Sequence, residues 1–71
     1  MEVFSKEFQV GNIKIELSIQ DIHGTKRVVF TAKDENDRRI WRTPILDNGE
    51  IKTYKSEEDA MQDAEKKLGA S

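Results

Sequence analysis

From Ile13 to Gln20 the chain alternates without a fault: Ile13, Ile15, Leu17 and Ile19 are separated by Lys14, Glu16 and Ser18. A period of two puts the apolar side chains on one face of a strand and the polar ones on the other, so the segment predicts a strand with one buried and one solvated face. Upstream, Phe4, Phe8 and Val10 alternate with Ser5, Glu7 and Gln9, interrupted only by Lys6. Gly11-Asn12 lies between the two runs, and a glycine at the first position of a two-residue loop suits the positive φ of a type II′ turn. That hairpin pairs Val10 with Ile13, Phe8 with Ile15 and Phe4 with Ile19, apolar on apolar throughout.

The same test extends along the chain, because a register slipped by one residue turns every apolar side chain to the wrong face. A turn centred on His23-Gly24 sets Ile19 against Val28, Leu17 against Phe30 and Ile15 against Ala32. A turn centred on Glu35-Asn36, within Asp34 to Asp37, sets Phe30 against Trp41 and Val28 against Thr43. Asp47-Asn48-Gly49 fits a three-residue loop that pairs Ile45 with Ile51 and carries a short fifth strand to about Tyr54. Pro44 cannot donate to a ladder and marks an edge or a bulge.

At Ser56 the period changes. Ser56-Glu57-Glu58-Asp59 has the pattern of a helix start, with a hydroxyl to accept from the amide three residues on and three acids in the positive first turn. Ala60, Met61, Ala64 and Leu68 fall on one stripe, Lys66 and Lys67 suit the negative end, and Gly69 suits the stop. Two alanines on the stripe let the helix lie close to a sheet. The predicted fold is α+β: an antiparallel meander of four to five strands with one C-terminal helix packed on one face, in a single small domain spanning residues 1–71.

Composition removes several classes of function. The chain has 71 residues, no Cys and one His, too short for a large enclosed active site and without a disulfide framework, a thiolate nucleophile or a Cys-type zinc site. Cysteine usage points to the cytoplasm. No run of about 18 apolar residues is present, and Met1 to Val10 already alternates like a strand, so a soluble, unprocessed chain with no membrane partner is expected. His23, beside Asp21 and Gly24, reads as a turn residue rather than a general base. Asp34/Glu35/Asp37 and Glu57/Glu58/Asp59 have the spacing of a loop and of a helix first turn, not of a metal loop. Gly11, Gly24, Gly49 and Gly69 stand singly, so no nucleotide loop exists. No catalytic, cofactor or metal constellation emerges, and the expectation is a protein that is not an enzyme and carries no cofactor.

Charge changes the picture more. The formal net charge is −2, but it is unevenly distributed. Residues 1–25 carry two basic and four acidic side chains, residues 26–55 eight and five, and residues 56–71 two and five. A helix over the Ile15/Leu17/Phe30/Trp41 face leaves the other face of the sheet open. On the first two strands that face carries Ser5, Glu7, Gln9, Lys14, Glu16, Ser18 and Gln20; on the next two it carries Arg27, Val29, Thr31, Lys33, Arg38, Ile40 and Arg42. Arg27, Lys33, Arg38 and Arg42 are therefore the candidate nucleic-acid-binding residues, offering cations to a phosphate backbone. The plainer reading is a solvated face whose long stems cover Val29, Thr31 and Ile40. In either case Trp41 is expected to face the core, leaving no ring for base stacking.

Phe8-Gln9-Val10-Gly11, followed by a strand and then Ile19-Gln20-Asp21-Ile22-His23-Gly24, resembles the opening of the positive-cofactor-four family of transcriptional coactivators. That family begins with a Phe-Gln-Ile-Gly turn, a strand and an Arg-Asp-Phe-Lys-Gly turn. The resemblance covers about a quarter of the chain and implies a homodimeric, single-stranded-DNA-binding fold of four strands and a C-terminal helix. Gln20 and His23 stand where the family has arginine and lysine, and the present chain is one residue longer between the turns. The leading functional expectation is single-stranded nucleic-acid binding on the basic open face. The alternative is a protein-interaction or homodimerisation module using the open face or a free strand edge, with Phe4 to Val10 as the candidate edge.

Overall fold

The computed structural model describes residues 1–69. In chain order the elements are β1 (Glu2–Val10), β2 (Ile13–Ile22), β3 (Thr25–Lys33), β4 (Arg39–Pro44), β5 (Leu46–Asp47), β6 (Glu50–Ile51) and α1 (Glu57–Lys67). β1 to β4 form one antiparallel sheet in sequence order, and β5 and β6 form a separate two-stranded ribbon. The fold is α+β, as the alternation predicts.

The first two hairpins have the predicted registers. Val10 faces Ile13, Phe8 faces Ile15 and Phe4 faces Ile19, with Gly11 at φ 62°. Val3 is the extra residue of a β-bulge between Phe4 and Glu2. His23 and Gly24 both take positive φ, 53° and 83°, the type I′ geometry whose twist matches the flanking strands. Ile19 then faces Val28, Leu17 faces Phe30 and Ile15 faces Ala32.

The ribbon differs from the expected fifth strand. Its loop has two residues, Asn48 and Gly49 at φ 53° and 83°, so Leu46 rather than Ile45 faces Ile51. Ile45 stays with the main sheet, its amide donating to the Val28 carbonyl (3.1 Å), and Tyr54 returns to bridge Lys26. Both are buried in the core with Leu17, Ile19, Val28, Phe30, Ala60 and Ala64, against which Phe4, Phe8, Ile15, Met61 and Leu68 pack.

Helix α1 starts where the sequence places it. The Ser56 hydroxyl accepts from the Asp59 amide (3.1 Å), and Gly69 ends the helix at φ 76°. Ala60 and Ala64 are fully buried against the sheet, and the helix lies over β2 and β3, the two central strands. On β4, Arg39 to Thr43 are exposed on both faces and Pro44 is half-buried.

Candidate nucleic-acid interface

The approach to β4 departs from the predicted two-residue turn. The Asp34 carboxylate accepts from the amides of Asn36 and Arg38, both at 2.9 Å, and the Asp34 amide donates to the Arg38 carbonyl at 2.9 Å. Asp37 takes φ 62°. The outcome is a three-residue loop, Glu35 to Asp37, ending in a left-handed residue. Lys33 therefore faces Arg39, and a bulge at Ile40 shifts the register once more, so that Ala32 faces Trp41, Thr31 faces Arg42 and Phe30 faces Thr43. Two single-residue shifts restore the original parity. Trp41 and Thr43 remain on the helix side and Arg42 on the open side, two residues further along β3 than predicted.

This rearrangement sorts the four predicted site residues. Arg27, Lys33 and Arg42 share the open face, since antiparallel partners point the same way. Arg38 does not: the longer loop leaves it in the turn before β4, and Arg39 takes its place beside Lys33. The half-buried pair is already engaged. Arg27 Nε donates to Gln20 Oε1 at 2.8 Å, and the Lys33 ammonium lies 3.8 Å from a Glu16 carboxylate oxygen. Lys14 is likewise paired with Asp37 (3.2 Å) and Lys26 with Asp21 (3.1 Å). Lys26 and the Gly24 amide hold the Asp21 carboxyl below its usual range. By contrast, among the described residues none of Arg38, Arg39 and Arg42 has a carboxylate oxygen within 4.0 Å.

Trp41 corrects the sequence reading most. It stands on the helix side of the sheet yet is 44% exposed, because α1 covers β2 and β3 and stops short of β4. Ile40, in the bulge, is 51% exposed rather than covered by its neighbours' stems. Val29 and Thr31, by contrast, are buried on the open face. They are flanked in register by Ser18 and Pro44, and by Glu16 and Arg42. The centre of the face is thus closed, and the accessible groups lie on β4 and the turn before it: Arg39 and Arg42 on the open side, Trp41 on the helix side, Ile40 in the bulge and Arg38 in the turn, all exposed.

A second polar cluster fastens the helix. The Tyr54 hydroxyl donates to Asp63 Oδ2 (2.5 Å), the Lys52 ammonium donates to the same oxygen (3.0 Å), and that ammonium lies 5.4 Å from the centre of the Tyr54 ring. Burial first, and Asp63 second, push the Tyr54 hydroxyl above its usual range. The bonds from Tyr54 and then Lys52 hold the Asp63 carboxyl below the ordinary carboxylate range. A carboxylate whose pKa is lowered by folding stabilises the native state above its unfolded pKa, and that contribution is lost as pH falls through the native value. Asp63→Asn keeps an acceptor for Tyr54 and loses the charge, so it is expected to lower stability at pH 7 by about 1 kcal/mol. In urea denaturation the gap to the parent should start to shrink below about pH 4 and close once pH is under the native-state value. A gap that does not change with pH would contradict this assignment.

His23 lies in the β2–β3 turn, exposed. Among the described residues no three His, Cys, Asp or Glu side chains converge on a point that could hold a metal ion, and no helix is long and apolar enough to cross a membrane. Comparison with family models, curated proteins and solved structures gives no match.

Proposed function

We propose that this chain is a non-enzymatic binding module that holds single-stranded nucleic acid along β4. The observation that carries the reading is the exposed run Arg38 to Arg42 in the turn before β4 and along this edge strand: among the described residues its three arginines have no carboxylate partner, Arg39 and Arg42 stand on the open side, and Trp41 is exposed on the other side of the same edge. A guanidinium offers a rigid fork of donors to phosphate oxygens. An accessible indole offers a stacking surface, worth about 1–3 kcal/mol per base. Bases reach such a ring only when they are unpaired, which favours single strands over a duplex. Two of the three acids in the preceding loop are engaged, Asp34 by backbone amides and Asp37 by Lys14, and Glu35 is exposed. The likeness of the first two turns to the positive-cofactor-four family points the same way, although the strip invoked here lies outside the residues that carry it.

Three phosphate contacts on a single strand give a slope of about −2 in log K against log salt. Fluorescence anisotropy of labelled hexathymidylate across a salt series is expected to yield that slope, with weaker binding to a duplex of the same length. A salt-independent affinity, or no binding at low salt, would end the proposal. The unpaired edge of β4 also suits a protein strand or a second copy of this chain. Sedimentation separates that reading, since it requires a dimer at micromolar concentration that Trp41→Ala dissolves.

A further inference from the structure

The basic border does not stop at Pro44. After the ribbon the chain returns to β3, and the bridge between Tyr54 and Lys26 sets Thr53 beside Arg27 on the open face. Between this returning segment and the β2–β3 turn lies a groove of about 310 Å³, lined by Ile22, Thr25, Lys26, Arg27, Ile51 and Thr53. Its apolar walls are unsatisfied: Ile22 and Ile51 are 39% and 44% exposed. Its cations differ in availability. Lys26 is paired with Asp21, whereas Arg27 uses Nε on Gln20 and, among the described residues, its terminal nitrogens have no partner.

Aliphatic walls, two hydroxyls and one guanidinium suit a flat heterocycle that carries a phosphate. Isoleucine side chains offer apolar surface on which a ring packs, and threonine hydroxyls serve either as donors or as acceptors to its edge. The arginine answers the phosphate. The groove is also in line with the strip on β4. From the Lys33 and Arg39 row to Arg27, β3 advances by about 20 Å at roughly 3.3 Å per residue, a length suited to a strand of a few nucleotides.

We infer that this groove is a base pocket: it receives one terminal base of the single strand whose phosphates pass Arg39 and Arg42. The inference rests on the nucleic-acid reading above and assigns a site distinct from Trp41. Competition against a labelled tracer tests it, using unlabelled hexathymidylate and hexamers that lack the base at one end or the other. The parent protein is expected to bind one of the two abasic hexamers about 10-fold more weakly than the intact one. The double variant Ile22→Ala and Ile51→Ala, its fold checked by far-ultraviolet circular dichroism, should bind all three equally. Equal competition by all three hexamers for the parent protein, with Arg39→Glu and Arg42→Glu still destroying binding, overturns the pocket and leaves the β4 reading standing. Absence of binding by any hexamer overturns both. A dimer that the isoleucine variant dissolves would give the groove to a second copy of the chain and overturn the pocket.

Discussion

Arg39→Glu combined with Arg42→Glu is expected to weaken binding to hexathymidylate by about 100-fold at low salt, measured by fluorescence anisotropy. Each substitution removes a phosphate contact and also introduces repulsion at the same point, so the effect exceeds that of neutralisation. The two side chains are exposed, and no carboxylate among the described residues pairs with them, so the fold should survive the exchange. Lys33→Gln is the informative contrast. Its ammonium already lies against Glu16, 3.8 Å away, and its loss should cost no more than about 3-fold. Equal losses for the two variants would mean that the whole face acts as a diffuse cation field. An unchanged affinity in the arginine pair would remove β4 from the account.

The other large effect concerns the packing that leaves β4 bare. Ala64→Leu is expected to destabilise the protein by about 1–3 kcal/mol in urea denaturation. Ala64 is fully buried where α1 lies on β2 and β3, so three added carbon atoms have no space unless the helix lifts or slides. In a domain of this size, whose total stability is about 4–10 kcal/mol, that is a large fraction. Glu58→Ala, on an exposed position of the same helix, should change stability by less than about 0.5 kcal/mol. A neutral Ala64→Leu would show that the helix is not held close to the sheet. The coverage that sets Trp41 free would then need another explanation.

Period-two alternation and turn chemistry were enough to read β1, β2 and β3 with their registers from the residues alone. Each turn there is a two-residue loop with Gly at a position of positive φ, and apolar pairs check the result on both sides. The approach to β4 was not legible in the same way. The Asp34 side chain captures two amides and lengthens the loop by one residue, and Ile40 adds a bulge; neither changes the alternation, because two shifts cancel in parity. Arg39 was overlooked for that reason. In the ribbon, the expected loop was one residue too long, so Leu46 took the place given to Ile45 opposite Ile51.

The exposure of Trp41 could not be read from periodicity at all. Facing the core side is a property of the strand, whereas being covered depends on where an eleven-residue helix lies across four strands. The clamp of Tyr54 on Asp63 is of the same kind. It joins the segment before the helix to the helix itself across nine positions of sequence, a distance over which no local pattern operates. What the sequence did make visible was the basic middle of the chain, and the structure redistributes it: Lys33 lies against Glu16 and Arg27 gives its Nε to Gln20, while Arg38, Arg39 and Arg42 have no carboxylate partner among the described residues.

Trp41 is the single tryptophan of the chain, so its emission reports on the proposed contact without interference. Titration of the protein with unlabelled hexathymidylate at low salt, read by tryptophan fluorescence, is the most direct measurement of the central claim. Saturable quenching that added salt reverses, with a midpoint matching the anisotropy curve, is the predicted result. Emission that stays constant while anisotropy reports binding would place the strand elsewhere on the protein and contradict the assignment of β4.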